Sequence, residues 1–431
     1  MNFKSTRSAA PAVKLSAAIT SGLAADGGLY VPDQLPTMKA ADFDPAANLA
    51  QIAARLLAPF FAADALATEL SAICAEAFTF AAPLRSLATD NDFVLELFHG
   101  PTAAFKDFGA RFLAACMRRL NASADRPLTI LVATSGDTGA AVGAAFANVP
   151  GFRVVILYPD GRVSPRQAHQ LGCFGGNVSA LRVAGSFDDC QRMVKRAFAD
   201  TDLRAQVALS SANSISLGRL LPQMAYYAQA VLSHLQATGE LLNFVIPTGN
   251  LGNAVACVLA RACGLPIGRI ALATNANRTL HDFFAGGDFE PRASVATLAN
   301  AMDVGDPSNF ERLRWLYPDP AQLRRQFTMD AIGDEAIADT IASRYARYGE
   351  VFCPHTATAV RTLEALRQEG AGGHWAAVAT AHPAKFDSVI EPLIGRSIEV
   401  PPTLSALLAR PALAQALSAD FGALRGYLLA A

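Results

Sequence analysis

Residues 129–141 read TILVATSGDTGAA. Thr129 to Ala133 is a short run of β-branched and aliphatic side chains, which predicts a buried strand. Thr134, Ser135, Gly136 and Asp137 then form a hydroxyl- and glycine-bearing turn, and the small residues from Thr138 onward suit a helix packed closely on its strand. A strand that passes through such a turn into a helix is the unit from which parallel sheets are built.

The same alternation extends to both sides. Val154 to Tyr158, Ala180 to Val183, Asn243 to Ile246 and Arg269 to Ala273 are strand-like runs, and amphipathic stretches such as Asp188 to Phe198 and Ser216 to Leu232 lie between them. This predicts an α/β protein with parallel-rich sheets, helices on both faces, and ligands at the carboxyl ends of strands. Before Thr89 the chain reads as mainly helical after a turn at Gly27 and Gly28, with amphipathic spacing from Asn48 to Phe78. After Phe310 it returns to helices, with a last apolar run from Ala376 to Thr380 ahead of a turn through His382 and Pro383. The expected division is an extension over 1–92, a large domain over 93–112 and 211–431, and a small substrate-binding domain over 113–210.

Composition excludes several classes of function. With 52% hydrophobic and 17% charged residues in 431, the chain can bury a large core and does not read as disordered. A net charge of -1 gives no electrostatic reason to expect nucleic acid or an acidic membrane as partner. Seven cysteines are scattered without zinc-like spacing, which predicts free, mostly buried thiols and no metal. Met1 to Ala10 lacks the apolar run of a signal peptide, and Pro, Arg, Asp and Gly interrupt every candidate span. A soluble, cytoplasmic protein is expected.

Three constellations carry chemistry. In residues 97–109, LFHGPTAAFKDFG, Lys106 stands among Ala104, Phe105, Phe108 and Phe112. Apolar surroundings depress a lysine pKa and free its amine for nucleophilic or base chemistry. The local sequence alone favours the alternative of a lysine snorkelling to water beside Asp107. The turn from Thr134 to Thr138 exposes backbone N–H groups to an anion, and it reads equally as an ordinary capped helix start. Residues 247–253, PTGNLGN, form a second turn of this kind, without the residues of a Walker A loop or a dinucleotide fingerprint. Two anion turns and an embedded lysine together suit pyridoxal 5'-phosphate, which combines an aldehyde, a phosphate and an electron-accepting ring.

These motifs, with residues 211–221 (SANSISLGRLL) and 380–386 (TAHPAKF), resemble the threonine synthase family in its longer form with an amino-terminal extension. Asn300 to Val304 and Pro354 to Ala357 also look familial. The resemblance spans most of the chain in family order. It implies the tryptophan-synthase-β-like fold of fold type II pyridoxal enzymes, with two three-layer αβα lobes and a mainly helical extension.

By position, the resemblance makes Lys106 the cofactor's covalent anchor and the acid/base. Gly249, Asn250, Leu251, Gly252 and Asn253 surround the cofactor phosphate, Thr380 meets the pyridine nitrogen, and Asp137 lies at the cofactor. Thr134, Ser135 and Thr138 hold the substrate carboxylate. Asn213, Ser214 and Arg219 take the substrate phosphate, with Arg162 and Arg166 as further candidates for which a solvated loop is an equal alternative. His99 and His382 are expected to be structural, and Lys385 and Phe105 to line the pocket. Relatives often carry an aromatic where Leu251 stands and an acid where Asn253 stands.

The implied reaction turns O-phospho-L-homoserine into threonine. The substrate amine displaces Lys106, the freed lysine removes the Cα and Cβ protons, phosphate leaves Cγ, water adds at Cβ, and reprotonation yields threonine. Closure of the smaller lobe would exclude stray water. The chain is expected to act as a monomer or homodimer. The competing readings are a dehydratase or phospholyase that forms a keto acid, and a silent family member that only binds; the 211–221 motif and the extension argue against the first, an intact Lys106 and phosphate loop against the second.

Overall fold

The computed structural model describes residues 1–122 and 126–430; positions 123–125 and 431, which fall inside the expected small and large domains, lie outside the described residues. The strands among them are numbered in chain order. β1 (Phe3–Ser5) and β2 (Tyr30–Pro32) form an antiparallel pair in the amino-terminal extension. β3 (Leu84–Ser86) and β4 (Asp92–Glu96) come next, then β5 (Leu128–Ala133), β6 (Phe152–Pro159), β7 (Val178–Ala184) and β8 (Leu209–Ser210). β9 (Leu242–Pro247), β10 (Ile267–Thr274), β11 (Phe327–Ala331), β12 (His374–Ala379) and β13 (Gln415–Ser418) follow.

Two large sheets result. One has the order β11-β10-β9-β12-β4-β3 and the other β13-β7-β6-β5-β8. Every pairing in them is parallel except that of β3 with β4. Central strands are buried on both faces, which is why they appear in the sequence as continuous apolar runs. The period of two then sorts alternate residues into different cores. Phe244 and Ile246 of β9 enter the main core, while Val245 enters a second core with Trp375 and Ala377 of β12. In the other sheet, Ile130 and Val132 join the main core, whereas Leu131 and Ala133 pack in a third with Val155 and Leu157. One face of each sheet therefore meets the main core, to which the extension adds Phe60, Phe61 and Ile73. Each such side chain contributes about 1.5–3 kcal/mol on burial.

Several expectations need correction. The carboxyl-terminal segment does not stay with the six-stranded sheet, because β13 pairs parallel with β7 and Leu424 and Leu428 pack in the third core. Its mostly exposed edge strand carries no apolar run to betray it. β3 lies inside the expected extension yet pairs with β4, and β11 interrupts the stretch read as helical. The expected helix from Ser216 to Leu232 is broken into Leu217–Leu220, a 3₁₀ turn Leu221–Gln223 and Met224–Thr238, because Pro222 has no N–H to donate. All seven cysteines are buried and unpaired, as expected. No helix among the described residues is long and apolar enough to cross a membrane.

Candidate active site

The loop before Lys106 is stitched to the end of β12. Leu97 N–H donates to the Ala379 carbonyl (3.0 Å), Phe105 N–H to that of Thr380 (2.8 Å), and His382 N–H to that of Ala103 (3.0 Å). Ala103 has φ of 55°, a left-handed conformation that costs an L residue about 1–2 kcal/mol. The loop so held starts the helix Lys106–Leu120 with Lys106 as its first residue and Thr380 alongside. Asp107 does not accompany the lysine to water. It is buried, and its carboxylate accepts Thr102 N–H (2.8 Å) and Thr102 Oγ1–H (2.6 Å). Lys106 is partly buried, with its ammonium 5.6 Å from the centre of the Phe105 ring.

The turn after β5 enters the helix Asp137–Phe146 through Gly136 at φ of 132°. Thr134 Oγ1 accepts the N–H groups of Gly136 and Gly139, each at 3.0 Å, so its hydroxyl organises the turn. Ser135 and Thr138 remain partly exposed. The turn after β9 enters the helix Gly252–Ala262 through Leu251, which is buried at φ of 62°. The first intrahelical bond there is from Val255 N–H to the Leu251 carbonyl, so the N–H groups of Gly252, Asn253 and Ala254 precede the ladder. Asn253 is the second residue of this helix. Its side chain ties the turn together, accepting Thr248 Oγ1–H at 2.8 Å and donating to the Pro247 carbonyl at 3.0 Å, so what it can offer a phosphate is its backbone N–H. Gly249 lies against Met302, whose Cα would be 2.7 Å from an added Cβ.

Motif 211–221 meets this second turn directly. Asn250 Nδ2 donates to Ser214 Oγ at 2.7 Å, and Asn309 Nδ2 donates to the Asn250 carbonyl at 2.9 Å. Arg219 is 1% exposed and packs under Gly109 of the Lys106–Leu120 helix, where an added Cβ would come within 2.5 Å of the Arg219 carbonyl oxygen. Its Nη1 donates to the Ala212 carbonyl at 2.6 Å. Among the described residues, Arg219 Nε and Asn213 Oδ1 are buried with no partner. The unspent Arg219 N–H donor suits an anion-binding pocket, whereas Asn213 Oδ1 is an acceptor and would need a donor such as a hydroxyl.

Charge is concentrated around Lys106. Desolvation lowers its pKa to about 8; Asp137 opposes that shift, and Arg219 and Lys385 reinforce it. For Asp137, burial works against ionisation, but Lys385 first and Lys106 next hold its carboxyl well below the usual carboxylate range. Desolvation also lowers Arg219 to about 10 and His355 to about 4. The residues present fit pyridoxal phosphate: an amine of depressed basicity, an eleven-residue helix whose amino end is free to receive a phosphate, and the Thr380 hydroxyl next to the lysine loop.

Arg162 and Arg166 do not join this cluster. Arg162 stands exposed on the turn after β6. Arg166 donates to the Ala384 carbonyl at 2.6 Å and pairs with Asp387 at 3.1 Å, bridging the helix Pro165–Gly172 to the turn after β12. His99 pairs with Glu96 at 2.9 Å and His382 Nδ1 accepts the Ala384 N–H at 3.1 Å, which are structural duties. Sequence reasoning passed over Gln167, Asn300 and His355, and gave Lys385 too small a part. Gln167 Nε2 donates to Asp137 Oδ1 (2.9 Å), Asn300 Nδ2 to Gln167 Oε1 (3.0 Å), and Ala301 N–H to His355 Nε2 (3.0 Å). The signal available for Asn300 and His355 was their place in two family-like motifs with no assigned role.

Fold and site together define a pyridoxal-phosphate enzyme of fold type II, and the family described as "Pyridoxal-phosphate dependent enzyme" matches residues 83–383. "Threonine synthase N terminus" matches residues 2–78 and "Threonine synthase, C-terminal" residues 356–428. The chain belongs to the threonine synthase family. It is 40% identical to the threonine synthase of Serratia marcescens over 419 residues, covering 97% of this chain and 96% of that one. The crystal structure of threonine synthase from Escherichia coli superposes with a TM-score of 0.92 at 38% identity, covering 100% of both chains. The structure of PLP-bound threonine synthase from Brucella melitensis gives 0.89 at 33% identity, covering 100% of this chain and 99% of that one.

Proposed function

We propose that this chain eliminates phosphate from O-phospho-L-homoserine and adds water at Cβ to give L-threonine and phosphate. The observation that supports the reading is the hydrogen bond from Asn250 to Ser214 at 2.7 Å, which joins the turn after β9 to the motif that carries buried Arg219, whose charge acts on Lys106. An enzyme that expels phosphate from an amino acid held on a phosphorylated cofactor needs two anion sites and one mobile proton carrier.

Pyridoxal phosphate, when bound, supplies an electron sink for negative charge developing next to the substrate amine. Lys106 anchors that cofactor at rest. With the cofactor and substrate bound, Lys106 Nζ would be the group that takes the Cα proton and later moves the Cβ proton. Arg219, Asn213 and Ser214 hold the substrate phosphate, which leaves Cγ with the bonding electron pair. The amino end of the Gly252–Ala262 helix with Gly249 and Asn250 holds the cofactor phosphate, and Leu251 shapes that turn. Thr380 offers a neutral hydroxyl to the pyridine nitrogen. Ser135 and Thr138, on the turn organised by Thr134, receive the substrate carboxylate.

We take the two sheets as the cores of the large and small domains, with β13 returning to the smaller. We also assign the chain to the cytoplasm, as a monomer or homodimer without nucleic-acid or membrane partners, in keeping with its net charge of -1. The deciding experiment is product analysis with O-phospho-L-homoserine. Equal release of threonine and phosphate, abolished in Lys106→Ala, is the expected result; 2-oxobutyrate without threonine would overturn the reading.

A further inference from the structure

Lys385 is the second lysine of the site, and it is entirely buried. Burying an ammonium is costly unless charge and hydrogen bonds compensate. Its Nζ lies 2.7 Å from Asp137 Oδ1 and donates to the Thr102 carbonyl at 2.9 Å. Gln167 Nε2 reaches the same Asp137 oxygen at 2.9 Å and is itself held by Asn300 at 3.0 Å. The lysine backbone is fixed as well, because its carbonyl accepts Ser164 Oγ–H at 2.8 Å. Asp137 begins a helix of the five-stranded lobe, while Lys385 follows the last strand of the six-stranded one. A rigid cross-lobe ion pair thus lies within electrostatic reach of the reactive amine.

We propose that Lys385 is a positioning residue that claims the Asp137 carboxylate, so that Asp137 cannot act as the dedicated counterion of Lys106. An unclaimed buried carboxylate would hold Lys106 as ammonium, unable to bond a carbonyl or accept a proton. With Lys385 on Asp137, the charge around Lys106 is no longer net negative. The charged groups that act on Lys106 are Asp137 from its helix, Arg219 from Leu217–Leu220 and Lys385 from the turn Pro383–Phe386; Lys106 in turn acts on His355 of Pro354–Gln368, and the neighbouring Asp107 is committed to Thr102. Desolvation is the leading cause of the depressed basicity of Lys106, and the charges of Arg219 and Lys385 add to it. Lys385 touches neither substrate nor cofactor in this scheme and acts only through Asp137.

The proposal rests on Lys106 being the reacting amine, which borohydride reduction of the holoenzyme followed by peptide mapping establishes separately, whatever product the enzyme forms. The test is the pH dependence of Lys106 carbamoylation by cyanate in the full-length, cofactor-free chain, read by mass spectrometry, beside the pH titration of the cofactor absorption band in the holoenzyme. Lys385→Met should raise the Lys106 midpoint by about one pH unit, a tenfold loss of neutral amine at fixed pH. Asp137→Asn keeps an oxygen for Lys385 and should move the midpoint the opposite way. A Lys385→Met protein that folds and loses activity with an unmoved midpoint would reduce Lys385 to a structural role and overturn the proposal. Should Lys385→Met fail to fold, Lys385→Gln, which keeps a donor for Asp137 without the charge, decides instead: a raised midpoint supports the proposal and an unmoved or lowered one overturns it.

Discussion

Asn250 Nδ2 donates to Ser214 Oγ at 2.7 Å, and the Asn250 side-chain oxygen accepts the Ser308 N–H at 2.6 Å. One side chain therefore fastens the phosphate turn after β9 to the motif that carries Arg219. Asn250→Ala removes both bonds at about 1 kcal/mol each. Cofactor affinity and substrate KM should each worsen by roughly tenfold. Equilibrium dialysis of the cofactor and steady-state kinetics check this together. A variant that loses only one of the two affinities would show that the turn and the motif are not coupled through Asn250.

Arg219 has a free Nε in a buried setting, while its Nη1 is committed to the Ala212 carbonyl. A planar guanidinium can meet both demands at once, and an ammonium cannot. Arg219→Lys should therefore recover little of what Arg219→Met loses. Loss of a desolvated contact to a phosphate costs on the order of 2–5 kcal/mol, which predicts a fall in kcat/KM of about thirtyfold or more. Kinetics at several concentrations of added inorganic phosphate measure it, since competition by phosphate should weaken in parallel.

Gly249 is placed against backbone, not against a flexible side chain. An added Cβ would lie 2.7 Å from Met302 Cα and 2.8 Å from its carbonyl oxygen. Gly249→Ala must push back the turn Asn300–Met302, which carries the links to Gln167 and His355. Overpacking of this kind costs about 1–3 kcal/mol. A lower melting temperature with weaker cofactor retention is expected, and an unchanged melt would mean that the turn yields freely.

The parallel strands and their turns were legible because burial on both faces writes an unbroken apolar run, and because hydroxyl and glycine residues at a strand end have few other uses. β9 and the turn from Thr248 to Asn253 illustrate this. β13 was not legible: three of its four residues are exposed, and its partner β7 lies more than two hundred residues earlier in the chain. Lys106 was found through its company, since its own neighbours favoured a snorkelling lysine. Lys385, Gln167 and His355 were underread because their roles depend on contacts across the cleft, which no local pattern records. The contacts of Arg166 were hidden for the same reason, its guanidinium reaching Ala384 and Asp387 across the cleft.

His355 sets a stability limit in mild acid. Desolvation, foremost, lowers its pKa from 6.5 to about 4, and His382 is lowered to about 4 by the same leading cause. Below pH 6.5 the unfolded chain binds protons at these two positions that the folded chain refuses until the pH approaches 4. Folding stability is therefore lost as pH falls through that window, at up to about 1.4 kcal/mol per pH unit for each histidine. Asp303 acts in the opposite direction, since burial raises its pKa from 3.8 to about 7 and its protonation favours the folded state as pH falls. His234 is lowered by desolvation as well and Asp107 is raised by it, so the His355 contribution is isolated by comparing variants. His355→Gln can still accept the Ala301 N–H and does not titrate, so its melting temperature should fall less between pH 7 and pH 5 than that of the unmodified protein. Thermal melts at the two pH values measure the difference, and equal slopes would mean that His355 is protonated in the folded state and that its burial leaves its charge undisturbed.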